Sequence, residues 1–289
     1  MTSDGTQEPP LTSGSDPFAA TGLPDTHLSV CGQQIRYDVR PGAPGWPPLV
    51  LCCGIGASFD VFDAFVSALP ADLTIIRFDV PGVGGSPVAP LPQGFPQLAF
   101  MLARILDQLG HDKVDVLGFS WGGALAQQFA VQHRRRCRRL VLVSTATGML
   151  MVPGHPRVLL RMTTPRRFHD PDYAATVAPF IYGGTARRHR GELRDMMEVQ
   201  RVVSASRRGY IYQLAAGAVW TSLPFLPLIR QPTLVMAGRD DPIVPLVNAR
   251  IMTRLIPDAR LHVYPGGHVE LITEPHSFTD VITGFLQTH

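Results

Sequence analysis

The sequence predicts an α/β fold in which helices cover both faces of a mostly parallel central sheet and a helical cap is inserted. Short apolar runs suited to buried strands alternate with segments whose apolar residues recur at helical spacing. A proline-rich break interrupts this alternation between Thr147 and Leu228. The chain has 289 residues, 45% of them apolar, which is enough for one large core.

The strand and helix predictions follow the chain in order. Leu28–Val30 and Ile35–Val39 flank a short polar turn and predict an antiparallel hairpin. The later strands are predicted from continuous apolar runs at 49–53, 73–78, 114–117, 140–143, 233–237 and 260–264. Helices are predicted from apolar periodicity at 62–69, 98–109, 124–131, 247–255 and 278–286.

The break in this alternation predicts the domain organisation. Residues 147–228 are rich in proline, arginine and large apolar side chains, and we expect them to form a cap or lid. Residues 23–146 and 229–289 then form the core. Residues 1–22 are rich in Ser, Thr, Gly and Pro, which is typical of a disordered tail.

Charge and composition argue against several classes of function. The formal net charge is only +3, so nucleic-acid binding is not expected. No apolar run approaches the roughly 20 residues of a membrane span, and the N-terminus lacks the basic and apolar regions of a secretory signal. We therefore expect a cytoplasmic protein. The four cysteines have no zinc-type spacing, and no metal site is predicted.

The strongest motif surrounds Ser120. Gly118-Phe119-Ser120-Trp121-Gly122 follows a predicted strand directly and opens a predicted helix. This is the Gly-x-Ser-x-Gly pattern in the strand–turn–helix context of the α/β-hydrolase fold. A sharp turn there presents the serine hydroxyl, and the helix N-terminus favours the negative charge that develops during attack. Ser120 is therefore the predicted nucleophile.

A serine nucleophile needs a base and an orienting acid, which follow it in that fold in the order acid, then histidine. His268 follows the last predicted strand in a glycine turn and is the predicted base. Asp240 and Asp241 both follow the preceding strand. Asp241 is favoured because Pro242 follows it in a typical acid loop, and Asp240 remains the alternative.

The oxyanion of the reaction needs backbone N–H donors from two loops. Trp121, directly after the nucleophile, supplies the first predicted donor. Ile55, in the loop after the strand at 49–53, supplies the second, although Cys53 stands where many hydrolases have histidine. This chemistry requires no cofactor.

Several stretches, the cap included, are similar to the intracellular medium-chain-length poly(3-hydroxyalkanoate) depolymerases of bacteria. The similarity runs from about Thr26 to the C-terminus. The stretches that carry it are Phe78–Ser86, Ser120–Ala130, Met151–Gly154, Pro165–Arg167, Ile181–Gly184, Trp220–Ser222, Arg230–Val235 and Asp240–Leu246.

This resemblance implies hydrolysis of ester bonds in a stored polyester at the surface of intracellular granules. It also implies a triad of Ser120, Asp241 and His268, in agreement with the motifs. Large apolar cap residues are expected to line a channel for alkyl side chains or to contact the granule. The predicted substrate-binding residues are Met149, Leu150, Tyr182, Trp220 and Phe225.

Two other functions remain open at this point. A small-molecule carboxylesterase or a carbon–carbon bond hydrolase would use the same triad. A non-catalytic granule-binding protein would carry the triad without using it. The sequence leaves the oligomeric state undetermined.

Overall fold

The computed structural model describes residues 26–188 and 206–288, and it has an eight-stranded sheet at its centre. The predicted tail at 1–22 and part of the predicted cap lie outside these ranges. The strands are β1 His27–Val30, β2 Gln33–Arg40, β3 Leu49–Cys52, β4 Ile75–Phe78, β5 Val114–Phe119, β6 Cys137–Val143, β7 Thr233–Gly238 and β8 Ala259–Tyr264.

The strand order across the sheet is β1-β2-β4-β3-β5-β6-β7-β8. Only the β1–β2 and β2–β4 pairs are antiparallel. The chain winds outward in both directions from β3, which lies between β4 and β5. Open α/β sheets bind ligands beyond the carboxyl ends of the strands, at the point where the order reverses. This topology directs attention to the loops that follow β3 and β5.

The helices follow the strands in the predicted alternation. They are α1 Asp63–Ala68, α2 Phe95–Gln108, α3 Trp121–Gln132, α4 Pro156–Met162, α5 Arg166–His169, α6 Pro171–Tyr182, α7 Gly184–Arg188, α8 Arg207–Val219, α9 Leu246–Leu255, α10 Glu270–Thr273 and α11 His276–Gln287. Short 3₁₀-helices lie at Phe59–Phe62 and Leu223–Leu228. Within the described ranges, none of the helices combines the length and the apolar character that crossing a bilayer requires.

Apolar side chains pack on both faces of the sheet. Leu49 and Leu51 of β3 join one core cluster with α1 and α11, whereas Val50 and Cys52 join a second cluster with α2, α3 and α9. Successive strand residues point to opposite faces, so a strand that is apolar throughout must be covered on both sides. The predicted α/β fold with helices on both faces is confirmed.

The predicted strands all form, but two helices begin three residues earlier than predicted. α2 begins at Phe95 instead of Leu98, with Pro96 in its first turn. α3 begins at Trp121 instead of Ala124, and its first turn contains Gly122 and Gly123. Proline is well tolerated in a first helical turn, so Pro96 does not prevent α2 from beginning there. Glycine has a low helix propensity, and Gly122 and Gly123 are present in α3 because the helix packs closely against its neighbours.

The predicted cap, residues 147–228, connects β6 to β7 and holds α4–α8 in its described part. Its two ends pair with each other. Met149 N–H donates to the Trp220 carbonyl at 2.8 Å, and Ser222 N–H donates to the Thr147 carbonyl at 2.9 Å. The segment therefore leaves the sheet and returns to it at neighbouring points.

A buried charge network ties β2 to the loops near the sheet's carboxyl edge. Arg36 contacts Asp60 at 2.8 Å and Asp79 at 3.2 Å. Burial alone would raise the pKa of Asp60, but hydrogen bonds from Arg36 and Ser58 outweigh it and lower that pKa. Asp60 is therefore held in its charged form.

Candidate active site

Ser120 lies in a sharp turn between β5 and α3, at the carboxyl edge of the sheet. Its φ of 53° and ψ of −120° fall in a region that residues with a side chain rarely adopt. Ser120 N–H donates to the Val143 carbonyl at 2.9 Å, which fixes the turn against β6.

The glycines of the motif allow this turn to pack. A Cβ on Gly122 would lie 2.2 Å from the Cys52 carbonyl oxygen, and one on Gly118 would lie 2.5 Å from the Gly122 carbonyl oxygen. Both distances are too short for any side chain. The spacing of the motif therefore follows from the close approach of the turn to β3 and to its own helix.

The structure brings Ser120, Asp241 and His268 together into one hydrogen-bonded chain. His268 Nε2 lies 2.9 Å from Ser120 Oγ, and His268 Nδ1 lies 2.8 Å from Asp241 Oδ2. His268 is 3% exposed and Asp241 is 8% exposed. This is the arrangement in which a carboxylate orients an imidazole that accepts a serine proton.

Asp241 is also held on its second oxygen. Ile243 N–H and Val244 N–H both donate to Asp241 Oδ1 at 2.9 Å. These bonds direct Oδ2 at the imidazole, so one carboxylate oxygen has a structural contact and the other faces His268.

Asp240 points away from the imidazole, towards the cap. Its carboxylate accepts a hydrogen bond from Gly184 N–H at 2.8 Å and pairs with Arg187 at 2.7 Å. Of the two neighbouring aspartates, only Asp241 contacts His268 among the described residues.

The two predicted oxyanion donors lie in segments that are close to Ser120. Trp121 is the first residue of α3, and the N–H groups of a first helical turn have no acceptor within the helix. Ile55 lies in the loop after β3, which approaches the nucleophile closely enough that a Cβ on Gly54 would lie 3.5 Å from Ser120 Cβ. Both Ile55 and Trp121 line the same cavity as Ser120.

That cavity has a volume of about 580 Å³ and opens beside Ser120. Most of its wall is apolar and comes from the cap and from α3. The side chains that reach it include Phe95, Met149, Met151, Leu159, Met162, Leu214, Trp220, Ile243 and Val244. An apolar cavity with a few polar groups at one end is typical of a site for a small apolar ligand or side chain.

Two of the five predicted substrate-binding residues, Met149 and Trp220, line this cavity. The other three lie outside its described lining. Leu150 is exposed at the surface, and Tyr182 is buried in the core. Phe225 packs against Trp220 with 5.7 Å between the ring centroids, so it supports the wall from behind. Apolar character alone does not distinguish a cavity wall from the layer behind it.

The structure also reveals contacts that the sequence motifs did not predict. Tyr182–Arg188 of the cap runs along the loops that follow β7 and β8, and we call this contact the cap seam. The Tyr182 carbonyl accepts from His268 N–H at 2.7 Å. Glu270 accepts from Thr185 N–H at 3.1 Å and from Gly267 N–H at 3.0 Å, and it pairs with Arg188 at 2.9 Å.

The cap seam joins the cap to the loops that carry the acid and the base, and glycine marks it in the sequence. Gly183 and Gly184 both have positive φ, and a Cβ on Gly184 would lie 2.1 Å from Gly267 N. Paired glycines in the cap and in the histidine turn are the one sequence signal for this close approach.

Among residues 26–188 and 206–288, no group of three or more His, Cys, Asp or Glu side chains is arranged to hold a metal ion.

Comparison with known proteins places this geometry in a family. The sequence model of the α/β-hydrolase fold matches residues 47–275. A poly(3-hydroxyalkanoate) depolymerase from Ectopseudomonas oleovorans is 49% identical over 255 residues, which cover 88% of this chain and 89% of that protein. A pimeloyl-[acyl-carrier protein] methyl ester esterase from Aromatoleum aromaticum is 30% identical, covering 82% of this chain and 99% of that protein.

Solved structures share the fold. The crystal structure of the enol-lactonase from Burkholderia xenovorans superposes with a TM-score of 0.78 at 23% identity, covering 91% of this chain and 100% of that one. With Ser120, His268 and Asp241 aligned at the carboxyl edge of such a sheet, the chain belongs to the α/β-hydrolase fold family and, within it, to the family of poly(3-hydroxyalkanoate) depolymerases.

Proposed function

We propose that this protein is a serine hydrolase that cleaves the ester bonds of a poly(3-hydroxyalkanoate), and that the polymer carries medium-length alkyl side chains. The observation that carries the proposal is the hydrogen-bonded chain of Ser120, His268 and Asp241, with Ser120 in the wall of an apolar cavity of about 580 Å³. The 49% identity to a poly(3-hydroxyalkanoate) depolymerase supports the choice of polymer.

The proposed reaction begins with acyl transfer to Ser120. Its Oγ attacks the ester carbonyl carbon while its proton passes to His268 Nε2. Asp241 holds Nδ1–H and stabilises the imidazolium that forms. The Ile55 and Trp121 N–H groups stabilise the negative charge on the former carbonyl oxygen.

The second half of the reaction releases the product. Collapse of the tetrahedral intermediate breaks the bond to the 3-hydroxyl oxygen of the neighbouring unit, which takes the proton from His268. Water then attacks the acyl-enzyme with His268 again accepting a proton, and Ser120 leaves with that proton. The free carboxylic acid is the second product, and no cofactor takes part.

The cap shapes substrate binding in this proposal. Residues 147–228 act as the cap over a core formed by 23–146 and 229–289. Met149, Met151 and Met162 line the cavity beside Ser120. Methionine side chains are flexible and fill irregular gaps, which suits alkyl groups of varied length.

We place the enzyme at the surface of storage granules in the cytoplasm. Two exposed apolar side chains of the cap are next in the sequence to residues of the cavity wall. Leu150, 53% exposed, follows the cavity residue Met149, and Leu160, 71% exposed, follows the cavity residue Leu159. A patch of this kind beside the cavity would bring the triad to an apolar polymer surface.

The first test measures release of 3-hydroxy acids from purified medium-chain polyester granules. Wild type should release them, and Ser120→Ala should lose about 10⁴-fold or more of the rate while it still binds granules. A wild-type enzyme that hydrolyses p-nitrophenyl octanoate but releases nothing from granules would instead be a small-molecule carboxylesterase. If Ser120→Ala kept the activity, the proposed nucleophile would be wrong.

Granule docking has its own test. Leu150→Asp and Leu160→Asp should reduce cosedimentation with granules but leave hydrolysis of p-nitrophenyl octanoate unchanged. Phe100→Asp is the matched control, because Phe100 is an exposed apolar residue on α2, outside the cap. Equal binding by all three variants and wild type would contradict this docking surface.

A further inference from the structure

We propose that Gln213, on α8 of the cap, positions the two segments that supply the oxyanion donors, the loop after β3 and the start of α3; this inference rests on the proposed function. Gly56 N–H donates to Gln213 Oε1 at 2.8 Å. The indole Nε1–H of Trp121 donates to the Gln213 backbone carbonyl at 2.9 Å. One cap residue thus contacts the residue after Ile55 and the side chain of Trp121.

The first contact bears on the loop after β3. Gly56 has a φ of 75°, and the only backbone bond described within the loop, from Ala57 N–H to the Gly54 carbonyl, is long at 3.4 Å. The shorter bond to Gln213 fixes the peptide plane that joins Ile55 to Gly56. The Ile55 N–H belongs to the preceding peptide plane, between Gly54 and Ile55, and the two planes are joined at the Ile55 Cα. Holding the Gly56 N–H therefore limits how far this loop, and with it the Ile55 N–H, can turn away from the position of the oxyanion.

The second contact bears on the turn that contains Ser120. The Trp121 ring packs against Phe95 with 4.6 Å between centroids, and its one polar atom is satisfied by Gln213. The Trp121 side chain is half-buried, and an indole N–H that is removed from water without an acceptor is destabilising. The bond to Gln213 therefore holds the side chain of the residue whose backbone N–H is the other donor.

Gln213 is itself buried, and its helix is fixed against the core. It is 5% exposed and lines the same cavity as Ser120. One helical turn earlier, α8 meets the core directly, where a Cβ on Gly209 would lie 2.2 Å from the Gly82 carbonyl oxygen. Ser206 N–H also donates to that carbonyl at 3.0 Å.

These contacts connect the cap to the N–H groups that stabilise the negative charge of the oxyanion. The oxyanion donors lie in the core, in the loop after β3 and at the start of α3, and a cap helix supplies a restraint on both. Gln213 touches no reacting atom in this scheme and is a positioning residue. Its loss should therefore reduce stabilisation of the transition state more than binding of the ground-state ester.

The test compares Gln213→Met with wild type on p-nitrophenyl octanoate. Methionine keeps the length and apolar contacts of the side chain but cannot accept the Gly56 hydrogen bond at this strength. We expect kcat to fall roughly ten- to hundredfold and KM to change less than about threefold. This loss of kcat is no larger than the loss caused by removing an oxyanion donor itself.

A second readout separates positioning from a general loss of structure. An octyl trifluoromethyl ketone mimics the tetrahedral intermediate. Ser120 Oγ adds to its carbonyl carbon, the serine proton passes to His268, and the ketone oxygen becomes an oxyanion. Gln213→Met should weaken binding of this ketone by about the factor lost in kcat/KM. Binding of the matched methyl ketone, which remains a neutral ground-state ligand, should change little.

Two further variants keep the proposal testable if Gln213→Met fails to fold. Trp121→Phe removes the indole donor but keeps the backbone N–H, and it should also lower kcat and trifluoromethyl ketone affinity together. Tyr212→Phe is the control on the same helix, because Tyr212 is half-buried, does not line the cavity, and its hydroxyl accepts from Arg208 and donates to the Pro90 carbonyl. Its kinetic constants should match wild type.

The outcomes separate the two proposals. If Gln213→Met and Trp121→Phe both fold and keep wild-type kcat and trifluoromethyl ketone affinity, Gln213 does not position the oxyanion donors. Equal losses for the trifluoromethyl and methyl ketones would likewise overturn the proposal. If wild type itself hydrolyses neither soluble ester nor polymer, the proposed function fails instead.

Discussion

Replacing Asp241 with asparagine should inactivate the enzyme by changing which nitrogen of His268 carries the proton. In the wild type, Asp241 Oδ1 accepts from Ile243 N–H and Val244 N–H, and Oδ2 faces His268 Nδ1. In Asp241→Asn, the amide oxygen must keep the contacts to these two N–H groups. The amide NH₂ then faces Nδ1.

The new amide donor requires Nδ1 to be an acceptor, so the imidazole proton moves to Nε2. A protonated Nε2 donates to Ser120 Oγ and cannot take its proton. A comparable change in a serine protease triad costs about 10⁴ in kcat, or about 5.5 kcal/mol at 1.36 kcal/mol per factor of ten. We expect a loss of the same order here.

The neighbouring residue is the matched control, because Asp240→Asn is the same substitution one position away. Asp240 is 46% exposed on its side chain and contacts the cap, so its loss should lower kcat less than about tenfold. Hydrolysis of p-nitrophenyl octanoate and labelling of Ser120 by a fluorophosphonate measure both variants. An Asp241→Asn enzyme with more than about a tenth of wild-type kcat would refute this reasoning.

Three further predictions concern the cavity, the cap seam and the buried network. Gly217 lines the cavity, and the nearest atoms to an added Cβ are 3.9 Å away on Trp121, so Gly217→Leu should fold and fill part of the space. The loss of kcat/KM in this variant should be at least roughly tenfold larger for p-nitrophenyl octanoate than for p-nitrophenyl acetate. Equal losses for the two esters would contradict the assignment of the cavity as the site of the acyl chain. Glu270→Gln should lower the free energy of unfolding by about 1–3 kcal/mol and also lower kcat, because the histidine turn loses its charged anchor. Exposed Glu274→Gln should do neither; parallel urea unfolding and kinetics of the two variants decide this. Asp60→Asn should cost about 2 kcal/mol at neutral pH. The pKa of Asp60 is lower in the folded protein than in the unfolded chain, where it is about 3.9. The charged carboxylate therefore stabilises the fold above the unfolded pKa, and this stabilisation is lost as the pH falls through the pKa of the folded state. The gap between Asp60→Asn and wild type in urea titrations should therefore shrink below about pH 4, and a constant gap would contradict the assigned charge.

The sequence predicted the sheet and the positions of the chemical groups well, because both follow from local patterns. Buried strands produce continuous apolar runs, and the nucleophile turn requires glycines that stand out at Gly118 and Gly122. Parallel strands place their carboxyl ends at one edge, so Ser120, Asp241 and His268 could be brought together from their order alone.

The contacts of the cap could not be predicted from the sequence, because they depend on long-range packing. Leu150, Tyr182 and Phe225 are all apolar or aromatic, but one is exposed, one lies in the core and one supports the cavity wall. Gln213 carries no motif, and its contact with Gly56 joins residues 157 positions apart in the chain. No periodicity or spacing rule reports such a pairing.

The cap seam determines which parts of this protein can be exchanged with those of its relatives. A Cβ on Gly267 would lie 2.1 Å from the Tyr182 carbonyl oxygen, and one on Gly183 would lie 2.0 Å from the Asp240 carbonyl oxygen. A cap transplanted from another hydrolase would have to reproduce these backbone crossings to within a few tenths of an ångström. In recombination and directed evolution, these segments must therefore be exchanged together, although they are far apart in the gene: Tyr182–Arg188 and the loops after β7 and β8.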